Sequence, residues 1–305
     1  MFPISGATQS YLADLNRTEA QINQAQSEVT SGYRVQTPSD DPAALSEILQ
    51  YEADLNQNRQ IQSNLSVAGS ELSSADSALQ TAIQAVESAT SIATQGASTS
   101  ASASDRANLA TEVLGVLQTL VSVSQTQVNG RYIFSGDQPS SPMYELNSSG
   151  DGVTQQFSAS STRVIVDTNG SSIPIAETAQ QIFDPQNSDG TPATGNVFAA
   201  VTGLLTALQN NDQAGSAQAV TDLQSAETYL NQQLAFYGGA EDRVTAATNL
   251  ATQSQTQITS ELSNLRDADI PTAAEQLTQA QLDEQAALSV EAQVQQQKNL
   301  FSYLG

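Results

Sequence analysis

Asp40 and Asp41 stand side by side, and paired carboxylates can hold a metal or work as acid and base. The 305 residues contain no histidine, and Lys298 is the one lysine, so neither group completes such a site. Asp41 also precedes Pro42. A carboxylate that caps a helix, followed by a proline where the amide would have no partner, is a helix start. Capping is the reading these residues favour. Residues 184–190, DPQNSDG, resemble a calcium loop. Aligned on Gly190, the first and twelfth positions are Pro185 and Asn196, so both anchoring carboxylates are missing and a turn is expected. The serines lack a G-x-S-x-G elbow and a histidine base. Asn16, Asn64, Asn147 and Asn169 each open an N-x-Ser/Thr triplet, a pattern that arises readily by chance in a chain this rich in those residues. No catalytic, cofactor-binding or metal-ligating residue is assigned, and no enzyme is expected.

Composition excludes further chemistry. Without cysteine there is no disulfide framework, thiol nucleophile or zinc–thiolate site. Nine basic residues against 32 acidic ones give a net charge of −23, which argues against nucleic acid as a partner, because phosphate backbones need Lys and Arg. No run approaches the length of apolar sequence that crosses a membrane, and the first twenty residues lack the pattern of a cleaved secretory signal. Hydrophobic residues make up 38% of the chain, and many are alanine. That is too little for a thick core and enough for narrow seams between helices.

The elements follow from periodicity. Ile4, Tyr11, Thr18 and Ala25 form one heptad row, and Leu15, Ile22 and Val29 form the other. Together they make an a/d seam on a helix ending near Gly32. A second helix is expected from Asp41–Pro42 to about residue 94, roughly 80 Å at 1.5 Å per residue. Leu65, Leu72, Leu79, Val86 and Ala93 are one of its rows, and Ala68, Ala75, Ala82 and Ala89 the other. A third helix is expected over about 105–128, capped by Ser104 or Asp105 and ended by Gly130. Residues 131–195 then change to short β-type runs punctuated by Gly, Pro, Asn and Asp, and Asn169-Gly170 signals a hairpin. Helical spacing returns over 197–208 and again over about 215–266, where Gly238-Gly239 weakens the run and could kink it. Asp269-Ile-Pro271 breaks it. Thr272 and Glu275 match a capping box that opens the last helix, whose seam holds Leu277, Ala280, Ala287, Val294 and Phe301 and ends near Leu304.

The expected fold is mainly α. It is an elongated antiparallel helical bundle or coiled coil formed by both chain ends, with a small central β-subdomain. Three parts are expected: a terminal coiled-coil assembly domain (1–40 with 270–305), a helical domain (41–136 with 196–269) and a β-rich insertion (137–195). The terminal seams are thin, so each terminal helix can leave part of its stripe uncovered in a monomer. That favours self-assembly over a self-contained bundle.

Four stretches resemble a known family. Residues 31–35, SGYRV, run into 37–44, TPSDDPAA, so that Gly32, Arg34, Pro38, Ser39, Asp40, Asp41 and Pro42 fall in one block. The block is similar to the N-terminal signature of bacterial flagellins and their relatives. Residues 129–136, NGRYIFSG, supply Gly130, Arg131, Tyr132, Phe134 and Gly136. They resemble the motif of one branch, the hook–filament junction subunits, and filament flagellins usually lack it. Residues 299–304, NLFSYL, resemble the family's C-terminal ending, and residues 263–270, SNLRDADI, resemble the segment before its last helix. The resemblance implies a structural subunit of the bacterial flagellum that joins hook to filament by self-assembly through its terminal helices. A short flagellin that forms the filament itself is the alternative. It further implies neighbouring hook-associated and flagellin subunits as partners and self-association in a ring or helical tube. It also implies an export chaperone at the C-terminal helix, type III export to the extracellular flagellum without a cleaved signal, and no cofactor.

Overall fold

The computed structural model describes residues 6–161 and 163–301, with side chains over 9–161 and 163–293. Seven helices and six short strands follow one another in these stretches. They are α1 (Gly6–Ser31), α2 (Pro42–Gly96), α3 (Ala103–Ser124), β1 (Gln127–Val128), β2 (Arg131–Tyr132), β3 (Tyr144–Leu146), β4 (Val153–Gln155), β5 (Val164–Val166), β6 (Ser172–Pro174), α4 (Ala179–Phe183), α5 (Val197–Gln209), α6 (Gln213–Arg266) and α7 (Ile270–Phe301). The chain divides into two compact units, Met1–Gln57 with Ser254–Gly305 and Asn58–Gln253. Helices α2 and α6 each contribute to both.

In the first unit α1 packs against α7. The Tyr11 hydroxyl donates to the Ala287 carbonyl at 3.4 Å, and Tyr33 forms an antiparallel bridge with Asp267. Advancing from 11 to 33 therefore retreats from 287 to 267, and the two helices run in opposite directions. A small apolar cluster of Val35, Ala44, Ile48, Leu55 and Leu262 lies in this unit, with Tyr51, Ile258 and Leu265 partly buried against it. Helix α2 starts where its sequence requires. Asp41 accepts from the Ala44 amide at 3.1 Å, and Pro42 is the first helical residue.

The second unit holds the larger core. Leu65, Leu72, Leu79 and Val86 on one row of α2, and Ala68, Ala75, Ala82 and Ala89 on the other, are almost wholly buried. They meet Leu117 and Leu120 of α3, Leu204 and Leu208 of α5, and Leu223 and Leu230 of α6 in one cluster. Alternating leucine and alanine rows let neighbouring backbones approach closely, so few large side chains fill the seam.

The strands pair only as three separate hairpins, β1–β2, β3–β4 and β5–β6. A two-stranded ribbon cannot bury enough surface alone. Accordingly Met143, Tyr144, Ile165, Ile173, Ile182 and Phe183 of this stretch belong to the same core as the helices. The β-rich middle draws its core from the helical elements and adds α4, which periodicity did not announce.

Four local expectations are corrected. Helix α3 is capped by Ser102, whose hydroxyl accepts from the Asp105 amide at 3.2 Å while the Asp105 carboxylate accepts from the Ser102 amide at 2.9 Å. Ser104 and Asp105 lie inside the helix, because this reciprocal box satisfies two orphan donors at once. The helix ends at Ser124, and Gly130 sits instead in the two-residue β1–β2 loop with Asn129, at φ 75° and 53°. Left-handed values at both positions match the twist of a tight hairpin, which is why Asn-Gly belongs there. Helix α7 opens at Ile270. Asp269 precedes it and accepts from the Thr272 hydroxyl at 2.9 Å, so Thr272 lies within the first turn and is not the cap. Helix α6 runs without interruption through Gly238 and Gly239.

Candidate assembly interface

The first unit brings together two stretches that are remote in sequence. Gly32, at φ 77°, lets the chain reverse after α1, and its amide donates back to the Glu28 carbonyl at 2.9 Å. Its own carbonyl accepts from the Ala268 amide at 2.9 Å, and the Arg34 amide donates to the Arg266 carbonyl at 2.8 Å. The Arg34 guanidinium donates to the Leu265 carbonyl at 2.7 Å and to Asp41 at 3.1 Å. Arg266 lies over the Tyr33 ring, 4.2 Å from its centre, and reaches Glu52 at 3.3 Å. Residues 32–35 and 265–268 thus form a clasp of backbone bonds locked by two arginines.

The neighbouring turn holds itself. Asp40 accepts from the Thr37 amide at 2.7 Å, the Gln36 amide at 2.9 Å and the Thr37 hydroxyl at 2.8 Å, and these bonds lower its pKa below the ordinary aspartate value. Ser39 shares a 2.8 Å bond with the Thr37 hydroxyl, and Pro38 is exposed between them. The Ala44 amide, and then Arg34, lower Asp41 in the same sense. The acidic pair is committed to turn and cap.

Along α1, Tyr11, Leu15, Ile22 and Val29 are half-buried, and Ala25 is buried. Along α7, Leu277 and Ala287 are half-buried and Ala280 is buried. Ile4 and Leu304, and the side chains of Val294 and Phe301, lie outside the described residues. A groove between the helices, about 630 Å³, is lined by Gln21, Gln24 and Ala25 on one side and by Glu275, Gln279 and Asp283 among others on the opposite one. Sequence reasoning missed a second set. Leu282, Leu288 and Val290 on α7, 55%, 50% and 57% exposed, and Leu12 on α1, 45% exposed, lie off the seam. A single heptad row could not find them. The usable signal is that α7 carries apolar residues around its whole circumference.

The 129–136 stretch does different work, in the second unit. Gly130 and Arg131 are exposed at the β1–β2 loop, and Tyr132 is half-buried, its amide donating to the Pro139 carbonyl at 2.9 Å. Phe134 is fully buried, edge-on to Phe183 at 6.0 Å and to Tyr237 at 6.2 Å. Gly136 has φ 57°, and a Cβ there would lie 2.5 Å from the Ser160 carbonyl. The motif is an aromatic plug approached by a tight hairpin.

A model of the bacterial flagellin N-terminal helical region matches residues 5–138, and one of the C-terminal helical region matches 219–304. The chain belongs to the bacterial flagellin family. Within that family it is similar to the flagellar hook-associated protein 3 of Salmonella typhimurium, at 25% identity over 222 residues and 69% of each chain. It is also similar to that of Escherichia coli, at 26% identity over 207 residues, which are 66% of this chain and 64% of the relative. The fold is shared with a flagellar hook-associated protein of Vibrio parahaemolyticus, with a TM-score of 0.65, 22% identity, and 75% of this chain and all of that one covered. It is shared as well with hook-associated protein 3 of Legionella pneumophila, with a TM-score of 0.62, 16% identity, and coverage of 72% and 98%. The clasp therefore joins the N-terminal flagellin region to the C-terminal one, and the Phe134 plug lies at the end of the first.

Proposed function

We propose that this flagellin-family chain is a structural subunit of the bacterial flagellum that joins hook to filament by self-assembly through its terminal helices. One observation carries the reading. Helices α1 and α7, inside the two matched flagellin regions, pair with their seam only half covered and with apolar side chains left outside it. Such stripes gain their full burial when neighbouring subunits close over them. The names of the relatives favour the junction role over the short-flagellin alternative.

The finer parts of the reading rest on the family. The chain does no catalysis. Its partners are neighbouring hook-associated and flagellin subunits and further copies of itself, and an export chaperone holds the C-terminal helix. The chain reaches the extracellular flagellum by type III export without a cleaved signal. The interface is carried by Ile4, Tyr11, Leu15, Ile22 and Val29 on one helix, and by Leu277, Ala280, Ala287, Val294, Phe301 and Leu304 on the other.

Deleting residues 1–30 or 275–305 should abolish incorporation into flagella in a complementation assay while the second unit stays folded. Filament growth on hooks carrying either truncated chain would refute the role. Copy number separates the alternatives: a junction needs a ring of subunits, whereas a filament protein would polymerise alone into long fibres.

A further inference from the structure

Asn129-Gly130 and Asn169-Gly170 are both exposed hairpin turns with the same two residues at the tip, and they differ in how they are tied. At the second, the Gly170 amide donates to the Asp167 carbonyl at 3.1 Å. The Asn169 and Ser171 amides both donate to the Asp167 carboxylate at 2.8 Å. At the first, among the described residues, neither the Asn129 side chain nor the Gly130 amide has a hydrogen-bond partner, and nothing lies within 4 Å of where a Gly130 Cβ would stand. We infer that Asn129 is a site of spontaneous deamidation, with water as the co-reactant, and that Asn169 is protected from the same reaction.

The chemistry needs no enzyme. The Gly130 backbone nitrogen attacks Cγ of Asn129. A C–N bond to Gly130 forms, the bond to the side-chain nitrogen breaks, and the Gly130 amide proton leaves with that nitrogen as ammonia. The product is a cyclic imide. Water then opens either of its carbonyls and leaves aspartate or isoaspartate at position 129, with no electron transfer. Glycine favours the attack because no Cβ obstructs it. Asn129 must first rotate out of its left-handed conformation. A free side chain and a free neighbouring amide permit that, whereas at Asn169 the backbone rotation that would bring the Gly170 nitrogen to Cγ breaks the bonds to Asp167. The isoaspartate form adds a carbon to the backbone of a two-residue loop. It therefore misaligns the Val128–Arg131 and Gln127–Tyr132 pairs that lead into the Phe134 plug.

The full-length protein is incubated in mildly alkaline buffer, native and in urea, and peptides are mapped by mass spectrometry with isoaspartate resolved by retention time. In the native protein, product should accumulate several-fold faster at position 129 than at 169, and urea should bring the two rates together. Asn129→Ser should remove the product at 129 and leave the rate at 169 unchanged. Equal native rates, or faster reaction at 169, would overturn the inference. A gap that persists in urea would overturn it too, since local sequence and not the fold would then set the rate.

Discussion

Arg266 acts at three points at once: it stacks on Tyr33, pairs with Glu52, and lends its carbonyl to the Arg34 amide. Arg266→Ala removes the first two and keeps the third. With a surface ion pair at about 0–1 kcal/mol and a stacked cation at about 0.5–1 kcal/mol, the loss should be about 1 kcal/mol. Hydrogen exchange should quicken at the Arg34 and Val35 amides and stay unchanged in the second unit. Gly136 and Gly130 offer a contrast. Both have positive φ, but only Gly136 meets a backbone atom. Gly136→Ala should destabilise by about 2–3 kcal/mol and Gly130→Ala by about 1 kcal/mol, read from thermal unfolding. The capping role of Asp41 was legible because the cap and Pro42 are adjacent in sequence. The bond from Arg34 to the Leu265 carbonyl was not, since it spans 231 positions and no local pattern encodes it. Asp269 stands just before the first helical position of α7 and accepts from the Thr272 hydroxyl, an adjacency the sequence did contain.

At the level of elements, α6 carries Gly238 and Gly239 in an unbroken helix with no atom near either absent Cβ. Gly238→Ala and Gly239→Ala should each stabilise by about 1 kcal/mol, visible as a higher denaturant midpoint. Helix α7 supports a different expectation. Leu282→Ser with Val290→Ser alters exposed positions, so monomer stability should move by no more than about 0.5 kcal/mol while incorporation into flagella falls. Unchanged incorporation would restrict the working surface to the seam. The helices were legible because leucine and alanine recur at heptad spacing over long runs. The hairpins were only partly so: Asn169-Gly170 declared its turn, but Val153–Gln155 and Tyr144–Leu146 are three-residue strands, too short for alternation to show. The outward apolar residues of α7 escaped because a seam search keeps one face and discards the others.

For the molecule as a whole, acidity is the variable to test. Hydrogen bonds hold Asp40, Asp41, Asp105 and Asp189 below the ordinary aspartate value. Each lowered group contributes stability that is present above its unfolded pKa and is lost as pH falls through the folded one. Glu177 has the opposite sign. Burial raises it, so its contribution is present below the unfolded pKa and fades as pH rises through the folded value. Four lowered carboxylates against one raised carboxylate predict a net loss on acidification, and Asp41→Asn should flatten the low-pH limb of urea midpoint against pH. The net charge of −23 adds a repulsion between subunits that salt screens, so association should strengthen as ionic strength rises.

The clasp also sets an order of events. Gly32 is bonded to Ala268, 236 positions later (268 − 32), and Tyr11 to Ala287. Closing so large a loop costs chain entropy before any contact offsets it, and such long-range pairings form slowly. Until residues 265–287 have been made, α1 lacks the partner that receives it. The second unit, continuous over Asn58–Gln253, is available to fold earlier. A chain stalled after residue 253 should therefore show a protease-resistant middle with a susceptible α1, and protection of α1 should arrive only once residues 265–287 have emerged.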